Sequence, residues 1–158
     1  MAVDFFLKLD SIPGESVDDK HKGWIQIQSF NWGASQVTSV AGTGGSGAGK
    51  ADLSDFSVVK YTDKATTPLF KSLTTGGHIK TGTMEAVKSG GAGKPFMKVD
   101  FEELFVTSHQ IAGSSEIPME NVSFSYNQIK MEYSTQDEKG VITTAGSVTF
   151  NTKTNVTS

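Results

Sequence analysis

Hydrophobic and polar residues alternate with period two along most of this 158-residue chain, which predicts strands that each bury one face. Between Ala2 and Asp10, the residues Val3, Phe5, Leu7 and Leu9 share one parity, and Asp4, Lys8 and Asp10 take the other. Ser11–Ser16 contains Pro13 and Gly14 and reads as a turn, followed by a charged loop over Asp18–Lys22. A second strand spans Trp24–Trp32, and its parity slips: Ile25 and Ile27 are odd, Phe30 and Trp32 even. One extra residue near Gln28 and Ser29, a β-bulge, would turn all four inward and leave Ser29 and Asn31 pointing away from the core.

Leu53–Tyr61 resumes the alternation through Phe56, Val58 and Lys60. Longer alternating runs follow at His78–Lys88, Phe96–Ile111, Val122–Tyr133 and Val141–Thr152, separated by turns at Ser89–Gly93 and Asp137–Gly140. One helix interrupts the series. Thr66 or Thr67 is suited to cap it, Pro68 to open it and Gly76 to end it. Leu69, Phe70 and Leu73 form a short apolar stripe, so this helix must lie on the sheet, with Leu69 and Leu73 in the core. Thr38–Lys50 carries Gly42, Gly44, Gly45, Gly47 and Gly49, and predicts a flexible Gly-rich loop over 38–51. The fold expected is mainly β and a single domain over 1–158. It is an antiparallel β-barrel or two-sheet sandwich of about eight strands with one short α-helix alongside.

Composition narrows the function. There is no Cys, which excludes thiol catalysis, disulfides and Cys-ligated zinc. All 14 basic residues are Lys, and the net charge is −3, which argues against nucleic-acid binding. No stretch approaches the roughly 20 apolar residues of a membrane span. The N-terminal run carries Asp4 and Lys8 without a basic leader, so synthesis in the cytoplasm without a signal peptide is expected.

Candidate chemistry is sparse. Gly44–Ala51 matches a phosphate loop up to Lys50, but Ala51 replaces the Mg²⁺-binding hydroxyl and a strand rather than a helix should follow. Asp18, Asp19 and His21 have metal-ligand chemistry, yet Lys20 and Lys22 flank the histidine, and a solvated loop is the expected reading. His78 and His109 have no partner that spacing identifies. Ser57 and Lys60 have the serine–lysine spacing of β-lactam enzymes, which brings the two together on a helix but not on a strand. Glu102 and Glu103, adjacent on a strand, should diverge and cannot act as an acid/base pair. Trp24, Phe30 and Trp32 read as core rather than as a sugar platform. No catalytic, cofactor-binding or metal-binding residues are assigned.

The segment Met1–Asp10, Gly14-Glu15-Ser16, Asp19–Lys22, Phe30–Gly33, the Gly-rich loop ending Gly47-Ala48-Gly49-Lys50, and Lys60–Leu69 leading to Gly77-His78-Ile79 occur in an order that resembles the haemolysin-coregulated protein (Hcp) family of type VI secretion. The resemblance implies a tail-tube-like fold, hexameric rings that stack, effector proteins carried in a central channel, a spike protein at the tip and a contractile sheath outside. It also implies export through the secretion system to the extracellular space or a target cell. Ser29 and Asn31 are then candidate channel-facing residues. Thr43, Gly44, Gly45, Ser46, Gly47 and Lys50 are candidate ring or stack contacts, and one of Phe5 and Phe6 should lie in the contact between copies. The alternative is a secreted, non-catalytic β-barrel binding module, for example for carbohydrate.

Overall fold

A computed structural model describes residues 2–39, 47–48, 50–88 and 93–158. In chain order the strands are β1 (Val3–Leu9), β2 (Ile25–Ile27), β3 (Ser29–Asn31), β4 (Ala34–Ser35), β5 (Thr38–Ser39), β6 (Gly47–Ala48), β7 (Asp52–Leu53), β8 (Phe56–Tyr61), β9 (His78–Lys88), β10 (Pro95–Ala112), β11 (Met119–Gln136), β12 (Ile142–Asn151) and β13 (Val156–Thr157). Helix α1 (Thr66–Thr75) separates β8 from β9. The main sheet runs β13-β12-β11-β10-β9-β1-β2, and every pairing in it is antiparallel. One edge of β11 is shared: its first half pairs with β8 and its second half with β12. β8 in turn pairs with β3. The architecture is the expected antiparallel β-sandwich, its long strands within a few residues of the alternating runs.

The parity slip in Trp24–Trp32 is a change of partner and not a bulge. β2 pairs with β1 and β3 pairs with β8, and the Gln28 amide between them donates to the Val59 carbonyl at 2.7 Å. A chain passing from one sheet to the other must leave one ladder before it joins the next. Ile25 and Ile27 are buried, Phe30 and Trp32 half-buried against the core, and Ser29 and Asn31 exposed.

A second slip of burial parity falls at matching positions of three strands, with the pairing register kept. Ile79 and Gly82, Phe101 and Leu104, and Tyr126 and Ile129 are buried, and the two residues between each pair face outward. Leu104 pairs with both Ile79 and Tyr126, and Phe101 pairs with both Gly82 and Ile129, so the slips fall on one line across the sheet. There the strands bend around the core, with Glu103 at φ +54°. A Cβ on Gly82 would stand 3.1 Å from Leu9 Cδ2 and 3.3 Å from Leu104 Cδ1, so the bend is packed against glycine. Glu102 and Glu103 therefore do not diverge: both are exposed, because the positive φ interrupts the alternation.

The described residues on either side of the Gly-rich segment are paired in ladders. β4 pairs with β7 and β5 with β6, forming a two-stranded arm that leaves the body after Gly33 and returns at Ser54. Backbone ladder bonds need no bulky side chains, so a Gly- and Ser-rich chain can form them. Thr43, Gly44, Gly45 and Ser46 lie outside the described residues, whereas Gly47 lies in β6 and Lys50 is exposed.

Other differences have equally local causes. Ala65 occupies the helix N-cap without a side-chain bond, and Pro68 falls at the third helical position. The turn before it is held by Asp63, whose carboxylate accepts from the Ala65 amide at 2.9 Å. Gly76 ends the helix at φ +65°. Phe70 is 55% exposed and lies off the core stripe, since it points roughly 100° away from Leu69, which Leu73 follows on the sheet side. Neither Phe5 nor Phe6 is left outside: Phe5 packs edge-on against Phe30 at 5.2 Å, and Phe6 stacks on the His21 ring at 4.2 Å.

Gly14 is the tightest position in the turn region. Its amide donates to the Gly23 carbonyl at 2.8 Å, and a Cβ there would sit 2.3 Å from the Trp24 carbonyl oxygen and 2.5 Å from Ile25 Cα. Gly14→Ala is expected to lower stability by about 1–3 kcal/mol, the scale of overpacking against backbone. A urea midpoint equal to that of the parent would show that the turn shifts freely.

Candidate assembly surfaces

Among the described residues two buried polar clusters stand inside the fold. Lys60 continues the inward parity of Phe56 and Val58, so its ammonium enters the core. It meets Glu120 Oε2 at 3.0 Å and Asp63 Oδ1 at 2.8 Å, and both Lys60 and Glu120 are fully buried. Glu120 stands directly across the ladder from Lys60, and also accepts from the Thr66 hydroxyl and from His109 Nε2. Burial pushes the Glu120 carboxyl up, but the bonds from Thr66, His109 and Lys60 and the Lys60 charge outweigh it, leaving the pKa below the ordinary carboxylate value. The alternation of β8 signals an inward Lys60; of its partners Asp63 and Thr66 follow closely in the chain, whereas Glu120 on β11 carries no local signal.

The second cluster is centred on His21, the one buried residue of the Asp18–Lys22 loop, whose Asp18, Asp19, Lys20 and Lys22 are exposed as expected. His21 is buried, with Nδ1 2.7 Å from Asp18 Oδ2 and Nε2 3.5 Å from Glu85 Oε2. Its hydrogen bond is the main reason that the Asp18 carboxyl lies below its usual range. The β1–β9 register makes this possible by setting Phe6, on which His21 stacks, opposite Glu85. His78 is exposed, 4.0 Å from Glu103. Among the described residues no group of three or more His, Asp and Glu side chains could hold a metal ion. The chain after Lys50 runs into β7, so the glycine segment does not open a helix.

The outer faces of the two sheets differ in chemistry. Across β9, β10 and β11, outward residues alternate in sign: Lys98 lies between Glu85 and Glu132, and Asp100 pairs with Lys130. Across β3, β8 and the first half of β11, the outward residues are Ser29 and Asn31, Ser57 and Val59, and Asn121, Ser123 and Ser125. Asn31 stands opposite Ser57, Ser57 opposite Ser123, and Ser29 opposite Val59, whose other neighbour is Asn121. The Ser57 and Ser123 hydroxyls are hydrogen-bonded at 2.8 Å. This face carries no Lys, Asp or Glu and brings both channel candidates onto one surface with residues distant in sequence.

Apolar surface concentrates elsewhere. On the β11–β12 hairpin Tyr133 is 51% and Val148 50% exposed, and Val148 and Met131 flank a recess floored by Trp32, Leu53 and Phe150. Trp32 thus serves partly as core and partly as the wall of this recess. At the far end of β11, Tyr61 stands opposite Met119, and both are exposed. Two separate apolar patches of this kind suit contacts in which different surfaces of like copies meet.

The sequence matches the family described as "Type VI secretion system effector, Hcp" over residues 6–133. The protein hcp1 of Pseudomonas aeruginosa is 34% identical over 143 residues, covering 89% of this chain and 88% of that protein. The solved structure of a type six secretion system protein superposes with a TM-score of 0.93 at 33% identity, covering 99% of this chain and all of that one. Hcp1 from Salmonella typhimurium follows at a TM-score of 0.81 and 31% identity, with both chains fully covered. The sandwich, its order of strands and these matches agree, and the chain belongs to the Hcp family of the type VI secretion system.

Proposed function

We propose that this chain is the structural subunit of a type VI secretion inner tube, that it closes into hexameric rings which stack, and that effector proteins pass through the channel. The observation that carries this reading is the uncharged face of β3, β8 and β11. Hydroxyl and amide groups without fixed charge form weak, salt-insensitive contacts, which suits a wall that must let many protein surfaces pass. Ser29 and Asn31 lie on that wall in this reading. The apolar patches on the β11–β12 hairpin and beside Met119 supply the contacts between copies, and the arm, with Thr43–Gly47 and Lys50, reaches a neighbouring subunit or ring. The spike protein and the sheath are the further partners. The role is structural, without cofactor or catalysis, and the route is synthesis in the bacterial cytoplasm followed by export through the system itself. No helix among the described residues is long and apolar enough to cross a membrane.

Electron microscopy of the purified chain, with its mass in solution, tests the proposal. Annuli and a single six-fold species are expected; a monomer at micromolar concentration would favour the secreted binding module instead. Asn31→Lys is expected to leave annuli intact while changing the amount of effector that co-purifies with them. Loss of the annuli would assign Asn31 to an interface.

A further inference from the structure

We propose that Tyr126 and Ser54 form a clamp at the neck of the β4–β7 arm that sets the direction in which the arm projects, and so its capacity to dock on a second copy of the chain. The docking part rests on the tube reading above; the clamp itself does not. At the neck, the Gly33 amide donates to Ser54 Oγ at 2.8 Å and the Ser54 amide donates to the Gly33 carbonyl at 2.8 Å. The Ser54 carbonyl then accepts from the Tyr126 hydroxyl at 2.9 Å. Ser54 is thereby held through its amide, hydroxyl and carbonyl at once.

Tyr126 is rooted in the rigid part of the molecule. Its ring packs on Phe101 at 5.0 Å, it pairs with Leu104 on the bend line, and its backbone carbonyl accepts from the Thr152 hydroxyl at the end of β12. Beside the clamp a polar recess of about 260 Å³ lies between Lys50–Asp55 and the sheet residues Ser125 and Thr152. On this side the arm base is not packed solid against the sheet; Leu53 anchors the returning strand on the core and the neck bonds fix the angle at which the arm leaves it. Burial and the nearby Asp55 charge push the Tyr126 hydroxyl up to about 12, which keeps it a neutral donor through the physiological range.

The test is hydrogen exchange of the full chain, read beside its self-association. In Tyr126→Phe the ring packing is retained and the hydroxyl lost. The Ser54 and Leu53 amides are expected to exchange about fivefold faster, the factor that corresponds to one neutral hydrogen bond. Core amides of β10 should stay within twofold of the parent, and the midpoint of self-association should move at least threefold toward higher concentration. Ser54→Ala, which removes a different bond of the same clamp, should do likewise and serves if the first variant folds poorly. Unchanged exchange at the neck overturns the clamp. Faster exchange with unchanged association overturns its role in docking while leaving rings intact. A parent chain that never associates refutes the tube reading instead, before any variant is compared.

Discussion

Glu120→Ala is expected to destabilise the chain by about 3–5 kcal/mol, because it leaves the Lys60 ammonium deep in the core with only Asp63 as a counter-charge. Thr66 and His109 lose their acceptor in the same step, so α1 loses a tie to the sheet. Urea denaturation followed by far-UV circular dichroism measures the loss; a change below 1 kcal/mol would mean that water or another group replaces the carboxylate. The sign of the pH dependence follows from the lowered Glu120 pKa. A carboxylate held below its unfolded value of 4.5 stabilises the fold at neutral pH. That contribution begins to decline as the pH drops below 4.5, where the unfolded chain takes up a proton first, and it is gone once the pH has passed the folded value. Glu120→Gln should therefore lower stability at pH 7 and flatten its decline in acid. An acid limb as steep as that of the parent would assign the sensitivity to other carboxylates.

Phe56→Ala is expected to cost about 3–5 kcal/mol, the usual scale for emptying a fully enclosed aromatic site. The ring of Phe56 lies 4.6 Å from Phe101, 6.2 Å from Phe30 and 6.5 Å from Phe124, so it touches residues from β3, β10 and β11. It is a shared contact between the β2–β3 crossing and the bend line, and no one neighbour can move in to fill the space. Phe56→Leu, which keeps most of the volume, should recover more than half of the loss. Equal losses for both variants would show that ring geometry matters here and volume does not.

What could be read from the chain was local or periodic. Alternation located the long strands because side chains on a strand point to opposite faces, whatever their partners are. Gly76 ended the helix and Leu69 faced the sheet for reasons contained within one turn. The parity of Lys60 with Phe56 and Val58 already placed a cation inward, and the ordered segments from Met1 to Ile79 pointed to the family. The remainder depended on which strands became neighbours. The slip at Gln28 looks the same in sequence whether it is a bulge or a change of sheet, and only the pairing of β2 with β1 and β3 with β8 decides between them. The ladder bonds that join β4 to β7 and β5 to β6 are backbone bonds to which the side chains offer no clue.

The sequence alone thus determined the class of fold, the course of the main strands and the absence of Arg and Cys, because these follow from residue type and spacing. Tertiary structure decided that His21 is buried against Glu85, that Lys60 meets Glu120 from 60 residues away, and that Ser29, Asn31, Ser57 and Ser123 share one uncharged face. Each of these unites residues distant in the chain, and the long-range register that joins them is set by the packing of the whole core rather than by any one segment.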